Sequence, residues 1–201
     1  MKNRILNVGN ITKVGILTAA ALLLSIIELP IRFAPDFYKI DLSSTVVLLG
    51  SYIVGPLAGI IIAVLKTVLK ALIAGTTTAF VGEYVDIIIT ILYVFPAAIT
   101  YRNHKSLKNA VLGMLVGIVS MTFFGCLLNY FLLIPVYARI AGLPVEHIVK
   151  AAALLNTKVS DLKSLVLFVA APFNVMKGTV CSIAAYLCLL PLKKLINNQE
   201  Q

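Results

Sequence analysis

The sequence predicts an all-α integral membrane protein: a single six-transmembrane-helix bundle with N- and C-termini cytoplasmic. Three observations predict it. The 201 residues are 60 % hydrophobic and 12 % charged, with a mean hydropathy of +1.01, whereas a soluble domain carries roughly 25 % charged residues. Apolar stretches recur at lengths suited to a hydrocarbon core of about 30 Å. The basic residues gather between those stretches, at Lys2, Arg4 and Lys13, at Arg102, Lys105 and Lys108, and at Lys193 and Lys194. That is the pattern of the positive-inside rule. The net charge of +9 therefore reads as topology determinants facing anionic lipid and not as a nucleic-acid surface. Residues 1–201 form one transmembrane domain, with no room for a second.

The first span covers about 11–28. It follows basic residues as a signal peptide would, but no small-x-small cleavage site follows its apolar run, so it reads as uncleaved. Gly15, Ala19, Ala20 and Ala21 give it a small-residue face of the kind that lets helices approach closely in lipid. That face suits either another subunit or the bundle's own packing. A mixed loop, 29–41, follows. The next apolar run, 42–74, would be about 50 Å long as one helix, and Gly55-Pro56 is its natural break. Spans at about 43–54 and 56–74 also bring all three basic clusters to one side. The fourth and fifth spans cover about 80–100 and 109–134, with Gly113 and Gly117 as a packing pair in the fifth. A long external loop, 135–163, is periodic enough at Val145–Leu155 to hold a helix. The sixth span, 165–192, carries one charge, Lys177.

An ammonium at that depth costs about 2.5–3.5 kcal/mol on insertion scales and usually faces a bundle interior or a watery cavity; the plainer alternative is a lysine that snorkels to an interface or pairs with a neighbouring helix's acid. Asn174 lies on the same face, at i−3. With this topology the outer half collects Lys39, Asp41, Lys66, Lys70, Thr76, Thr77, Glu83, Asp86, Asn129 and Tyr130, and the inner half is almost free of buried charge. Part of the set reads as ion pairs, Lys66 or Lys70 with Glu83 or Asp86. The amides, threonines, tyrosine and an unpaired Lys177 exceed what pairing needs. A few convergent polar groups in an apolar lining are how small ligands are held, and this site would open outward beneath the 29–41 and 135–163 loops.

The absences narrow the function. No phosphate-binding G-x-x-x-x-G-K-[ST] loop is present, and no H-E-x-x-H or nucleophile elbow; no catalytic residue, metal site or cofactor is expected. His104 and His147 read as solvated loop residues. Cys126, Cys181 and Cys188 lie within apolar spans, with spacing that fits neither a metal site nor a disulfide frame. The two halves show no inverted repeat of broken helices, the mark of a self-sufficient carrier.

Several stretches, in order and spread over most of the chain, carry a resemblance. They are Phe37-Tyr38-Lys39-Ile40-Asp41-Leu42-Ser43, Leu48-Leu49-Gly50 with Gly55-Pro56-Leu57-Ala58-Gly59, and Gly75-Thr76 through Gly82-Glu83. Asn129-Tyr130 with Pro135 and Tyr137, and Pro172-Phe173-Asn174-Val175-Met176-Lys177, complete them. Together they resemble the substrate-binding (S) component of energy-coupling factor (ECF) transporters, most of all the riboflavin-specific RibU family. The resemblance implies a multi-pass protein of the bacterial cell membrane that captures riboflavin from outside. Its partners would be a transmembrane coupling subunit and two cytoplasmic ATPase subunits, which drive release inside. It implies that Asn129, Asn174 and Lys177 hold the flavin's polar edge, and that Lys39 to Asp41 and Thr76-Thr77 flank the ligand. Gly15 and Ala19 to Ala21 would dock the coupling subunit.

The chain departs from the pattern at Ser44-Thr45, where the family has an acid and a proline. It departs again at Ala79-Phe80, where the family has glycines, and at Asp86, where it has asparagine. Phe80 is expected to fill space near the ligand and Asp86 to add an acceptor-only charge. An S component for another vitamin or flavin relative is the alternative. A membrane-embedded enzyme would need a catalytic constellation, and Glu83 with Asp86 has no facing acidic pair. A stand-alone carrier would transport without an ATPase.

Overall fold

Gly55 adopts φ 139°, a conformation open to glycine and strained for other residues, and Pro56 follows at the first helical position, where its missing N–H costs nothing. This is where the long apolar run breaks, into α2 (Ser43–Ile53) and α3 (Pro56–Ala74). The computed structural model describes residues 7–31, 34–35, 38–76, 80–140 and 142–199, with side chains to 191. Lys2, Arg4, Arg32, Asp36, Phe37 and Thr77 to Ala79 lie outside the described residues, as do the side chains of Lys193 and Lys194.

Helix α1 (Val8–Ile26) is capped by the Asn7 side chain. It ends two residues short of the expected boundary, which leaves Glu28 outside the helix. Strands β1 (Leu29–Pro30) and β2 (Lys39–Ile40) pair antiparallel, Leu29 with Ile40 and Pro30 with Lys39. Helix α2 is only 11 residues long and buries nine of them; it is enclosed by α1, α3, α4 (Val81–Asn103) and α9 (Ala171–Gln199). Gly50 of α2 faces Ile62, and Gly59 of α3 faces Ser51 and Val94; a Cβ on either glycine would sit inside 3 Å of these neighbours.

Helix α5 (Leu107–Leu128), capped by Ser106, packs along α4. Gly113 and Gly117 are the reason for the closeness: a Cβ there would stand 2.5 Å from the Ala97 carbonyl oxygen and 2.4 Å from that of Tyr93. The expected packing pair is present. The fifth span does not stop at 134. It passes through a π-helical turn, Asn129–Leu133, into α6 (Ile134–Ile140). Helix α7 (Val145–Leu155) occupies the 135–163 segment, as its periodicity predicts. The last span starts earlier than expected, at α8 (Leu162–Leu165), and runs through a second π turn, Val166–Ala170, into α9.

Five helical segments among the described residues are long and apolar enough to cross a membrane: Val8–Ile26, Pro56–Ala74, Val81–Asn103, Leu107–Ile140 and Leu162–Pro191; Ser43–Ile53 is apolar but shorter. The apolar core is in two parts. A large one joins α1 to α5 with α9 around Val47, Leu48, Ile62, Tyr93 and Met121. A smaller one joins the 31–40 segment, α6, α7 and the second π turn around Tyr38, Ile134, Val149, Leu165 and Phe173. Residues of both meet in one cavity.

Candidate functional site

A cavity of about 410 Å³ opens where the two cores meet, a volume in the range that holds small molecules. Val85 and Ile89 of α4 wall it from the larger core, and Tyr38 and Phe173 from the smaller. Its floor is a closed ring of polar groups. Lys177 Nζ donates to Asp41 Oδ2 at 3.1 Å and to Asp86 Oδ1 at 3.2 Å. Lys66 Nζ donates to Asp86 Oδ2 at 2.6 Å and to Ser43 Oγ at 2.8 Å. Ser43 closes the ring on Asp41 Oδ1 through its hydroxyl and through its backbone N–H at 2.8 Å. Thr67 Oγ1 adds a donor to Asp86 Oδ2 at 3.2 Å. Two ammoniums and two carboxylates balance, which is what burial demands: a charge taken from water is tolerated when paired and hydrogen-bonded. Lys66 is 1 % exposed and Lys177 7 %.

Lys177 is therefore not unpaired; the plainer alternative, pairing with acids of neighbouring segments, is what the structure shows, the partners coming from the α2 entrance and from α4. The Lys66–Asp86 pair is one of those the spacing allowed. Lys70 pairs instead with Glu28, which also accepts from Lys39 Nζ at 2.7 Å. That triad ties the end of α1, the β-ribbon and α3 together at the cavity mouth. Burial alone would raise the Glu28 pKa, but the hydrogen bonds and charges of Lys39 and Lys70 outweigh it and hold the carboxyl below its ordinary 4.5.

The amides sit on the opposite wall. Asn129 Oδ1 accepts from the Tyr38 hydroxyl at 2.6 Å, and its Nδ2 donates to the Gly125 carbonyl at 2.8 Å. Asn174, 2 % exposed, has an Nδ2 with no hydrogen-bond partner among the described residues. A buried donor without an acceptor costs about 1–3 kcal/mol, so an acceptor brought by a ligand would recover that energy.

The structure brings Lys39, Asp41, Glu83, Asn129, Asn174 and Lys177 to one cavity. Thr76 and Tyr130 do not line it: the Thr76 hydroxyl accepts from the Phe80 N–H at 3.0 Å, and Tyr130 turns outward against Phe131. Thr77 lies outside the described residues. Phe80 does not fill space here either; it is 61 % exposed and stands at a left-handed φ of 68° before α4. On α1, Gly15 and Ala19 are exposed and Ala20 half-buried, while Ala21 faces inward and is fully buried, so it is not part of an open face. Lys70, expected in the outer polar set, also lines the cavity, whereas sequence reasoning passed over Glu28, Tyr38, Tyr137 and Phe173 as lining residues. The signal for two of them was a proline: one residue separates each π turn from one, Ile134 before Pro135 and Ala171 before Pro172. A proline inside a helix removes a rung, and π turns often mark functional sites.

The family model for the ECF transporter substrate-specific component matches residues 9–189. Riboflavin transporter FmnP of Bacillus subtilis (strain 168) is 31 % identical over 196 residues, 97 % of each chain. Riboflavin transporter RibU of Staphylococcus aureus (strain TCH60) is 32 % identical over 170 residues, 85 % of this chain and 82 % of that one. A solved structure of the S component of a bacterial ECF transporter superposes with a TM-score of 0.72 at 27 % identity, covering 95 % of this chain and 97 % of that one.

Proposed function

Because the chain belongs to the family of ECF transporter substrate-specific components, which makes it a multi-pass membrane protein and not an enzyme, we propose that it captures riboflavin for an ECF-type importer. The observation that carries this reading is the cavity itself: aromatic and aliphatic walls from two cores around an orphan Asn174 amide. A flavin is flat and apolar through its rings and lined with acceptors along one edge. Tyr38, Phe173, Val85 and Ile89 suit the rings; Asn174 Nδ2, with the third N–H of Lys177, suits the acceptors.

In this reading the six helices, α2 included, form one transmembrane unit with both termini in the cytoplasm. The cavity opens to the outside, opposite Arg102, Lys105 and Lys108. The exposed Gly15 and Ala19 of α1 dock the coupling subunit by close backbone approach. Two ATPases supply the energy, since no phosphate-binding loop is present in this chain. Asp86 favours a second reading, another vitamin or flavin relative, because it lines the cavity with an acceptor-only carboxylate at the position where the family pattern has an asparagine.

The test is direct. Protein purified in detergent should be yellow or quench riboflavin fluorescence with one-to-one stoichiometry. Lys177→Ala and Asn129→Ala should each weaken that binding about tenfold or more, the scale of one hydrogen bond to a charged or buried group. A colourless protein that ignores riboflavin after ligand stripping would overturn the assignment. Unchanged affinity in both variants would overturn the site.

A further inference from the structure

Helix α7 turns Ile148, Val149 and Ala152 into the smaller core. That leaves His147, Lys150, Ala151 and Leu154 on the opposite side, at the i, i+3, i+4, i+7 spacing of one helix face, all of them exposed. A surface helix in water keeps such a face polar throughout. This one changes character along its length. It begins on His147 and Lys150 and ends on Leu154, which is 89 % exposed, more than any other large apolar side chain among the described residues. Leu155 beside it is exposed too. Two contacts fix where that end lies. The Asn156 side chain donates to the Phe168 carbonyl at 3.3 Å, and Lys158 Nζ stands 5.8 Å from the centre of the Phe168 ring. Leu167 and Phe168 are exposed residues of the second π turn, within the segment Leu162–Pro191 that is long and apolar enough to cross a membrane. The end of α7 is thus continuous with the outward apolar surface of the last span, near where that span starts.

The charges around this patch have one sign in excess. From Arg139 to Lys163 the chain has four basic residues, Arg139, Lys150, Lys158 and Lys163, against two acidic ones, Glu146 and Asp161. Asp161 caps α8, where the Ser164 N–H and hydroxyl both donate to it at 2.7 Å. Among the described residues neither Lys150 nor Lys158 forms a salt bridge, although Glu146 lies one turn from Lys150. On the proposed topology these lysines are outside, where the positive-inside rule supplies no reason for them. Unpaired ammoniums beside exposed leucines match the two layers of a lipid surface, phosphates above and acyl chains below. We infer that α7 is a membrane-surface helix: Leu154 and Leu155 lie among acyl chains at the interface, and Lys150 and Lys158 hold the phosphate of an anionic phospholipid. A second copy of this chain suits the face less well, because it would set the same lysines against each other. The membrane then backs the helix that covers the smaller core, and through it the Tyr38 and Phe173 wall of the cavity.

The chain contains no tryptophan, so Leu154→Trp supplies a single fluorescent reporter, with Leu155→Trp as a second should the first disturb folding. The full chain carrying either is placed in phosphatidylcholine nanodiscs, which leave both membrane faces open to solutes. Phosphatidylcholine brominated near the carbonyl end of its acyl chains should quench the reporter by about half or more, and aqueous iodide should quench it several-fold less. Quenching by iodide and not by the brominated lipid would overturn the proposal by placing α7 in water. Quenching by neither would overturn it by showing that protein, a partner or a second copy, covers the face. Headgroup choice is read with a small fraction of brominated phosphatidylglycerol in place of the brominated phosphatidylcholine. With both lysines present the anionic lipid should be preferred about fivefold or more, the scale of one basic side chain at an anionic surface. Lys150→Gln with Lys158→Gln should bring that ratio to about one. No preference with both lysines present, or a preference that survives their removal, would overturn the proposal.

Discussion

Lys66 and Lys39 are both ion-paired lysines, yet they should behave in opposite ways when truncated. The Lys66 side chain is 1 % exposed against Asp86, while Lys39 is 39 % exposed against Glu28. Removing one partner of a buried pair leaves a stranded charge and costs about 3–5 kcal/mol, whereas an exposed pair is worth about 0–1 kcal/mol. Lys66→Ala should therefore sharply lower the midpoint of thermal unfolding in detergent, and Lys39→Ala should barely move it. Equal shifts would mean that the polar ring is not buried as described. The sequence made one half of this legible. A lysine deep in an apolar span must meet something polar, so Lys66 and Lys177 announce a site; what they meet depends on how helices far apart in the chain are rotated against each other. Asn129 and Tyr130 show the same limit. Adjacent residues on a helix point about 100° apart, so only one of the pair could face the cavity, and Asn129 does.

At the scale of elements, the two π turns do what a regular helix could not. Each inserts one extra residue, which rotates everything beyond it by about 100° about the axis, and beyond the second turn come Phe173, Asn174 and Lys177. Pro172 has no N–H to give the Phe168 carbonyl, its normal partner four residues back. The Asn156 side chain, at the end of α7, donates to that carbonyl at 3.3 Å instead. The bond makes α7 a strap across the start of the last span. Asn156→Ala should cost about 0.5–1.5 kcal/mol and raise hydrogen exchange in α7 before the rest of the bundle; uniform exchange would show that α7 is held by its apolar face alone. Gly117→Ala tests the α4–α5 seam. Its new methyl would lie 2.4 Å from a backbone oxygen that cannot swing aside, so a loss of about 1–3 kcal/mol is expected, against little change for Gly15→Ala, where nothing lies within 4 Å. Helix existence, the Gly55-Pro56 break and the α7 periodicity were all readable, because each is a local property. The π turns were half-readable: Pro135 and Pro172 flag an irregularity but do not say which kind.

Among the described residues the molecule is two apolar cores with a cavity at their junction, so on the proposed function ligand capture would be tied to the coherence of the two cores. The Glu28 triad is the polar clasp at that junction, since it joins α1, the β-ribbon and α3. Its pH response has a definite sign. The folded-state pKa of Glu28 lies below the ordinary 4.5, so the clasp contributes stability above the unfolded value and loses it as pH falls through the folded one. Bound riboflavin should then leave several-fold faster once the pH falls through that depressed folded-state value, and Glu28→Gln should show that faster release already at neutral pH, with little further change on acidification. Stopped-flow release of the quenched vitamin measures both. Acid-accelerated release that persists unchanged in Glu28→Gln would move the clasp to the buried ring, where Asp41 and Asp86 would have to give up their lysines. The first outcome makes opening a local event at the mouth; the second makes it a loosening of the bundle itself.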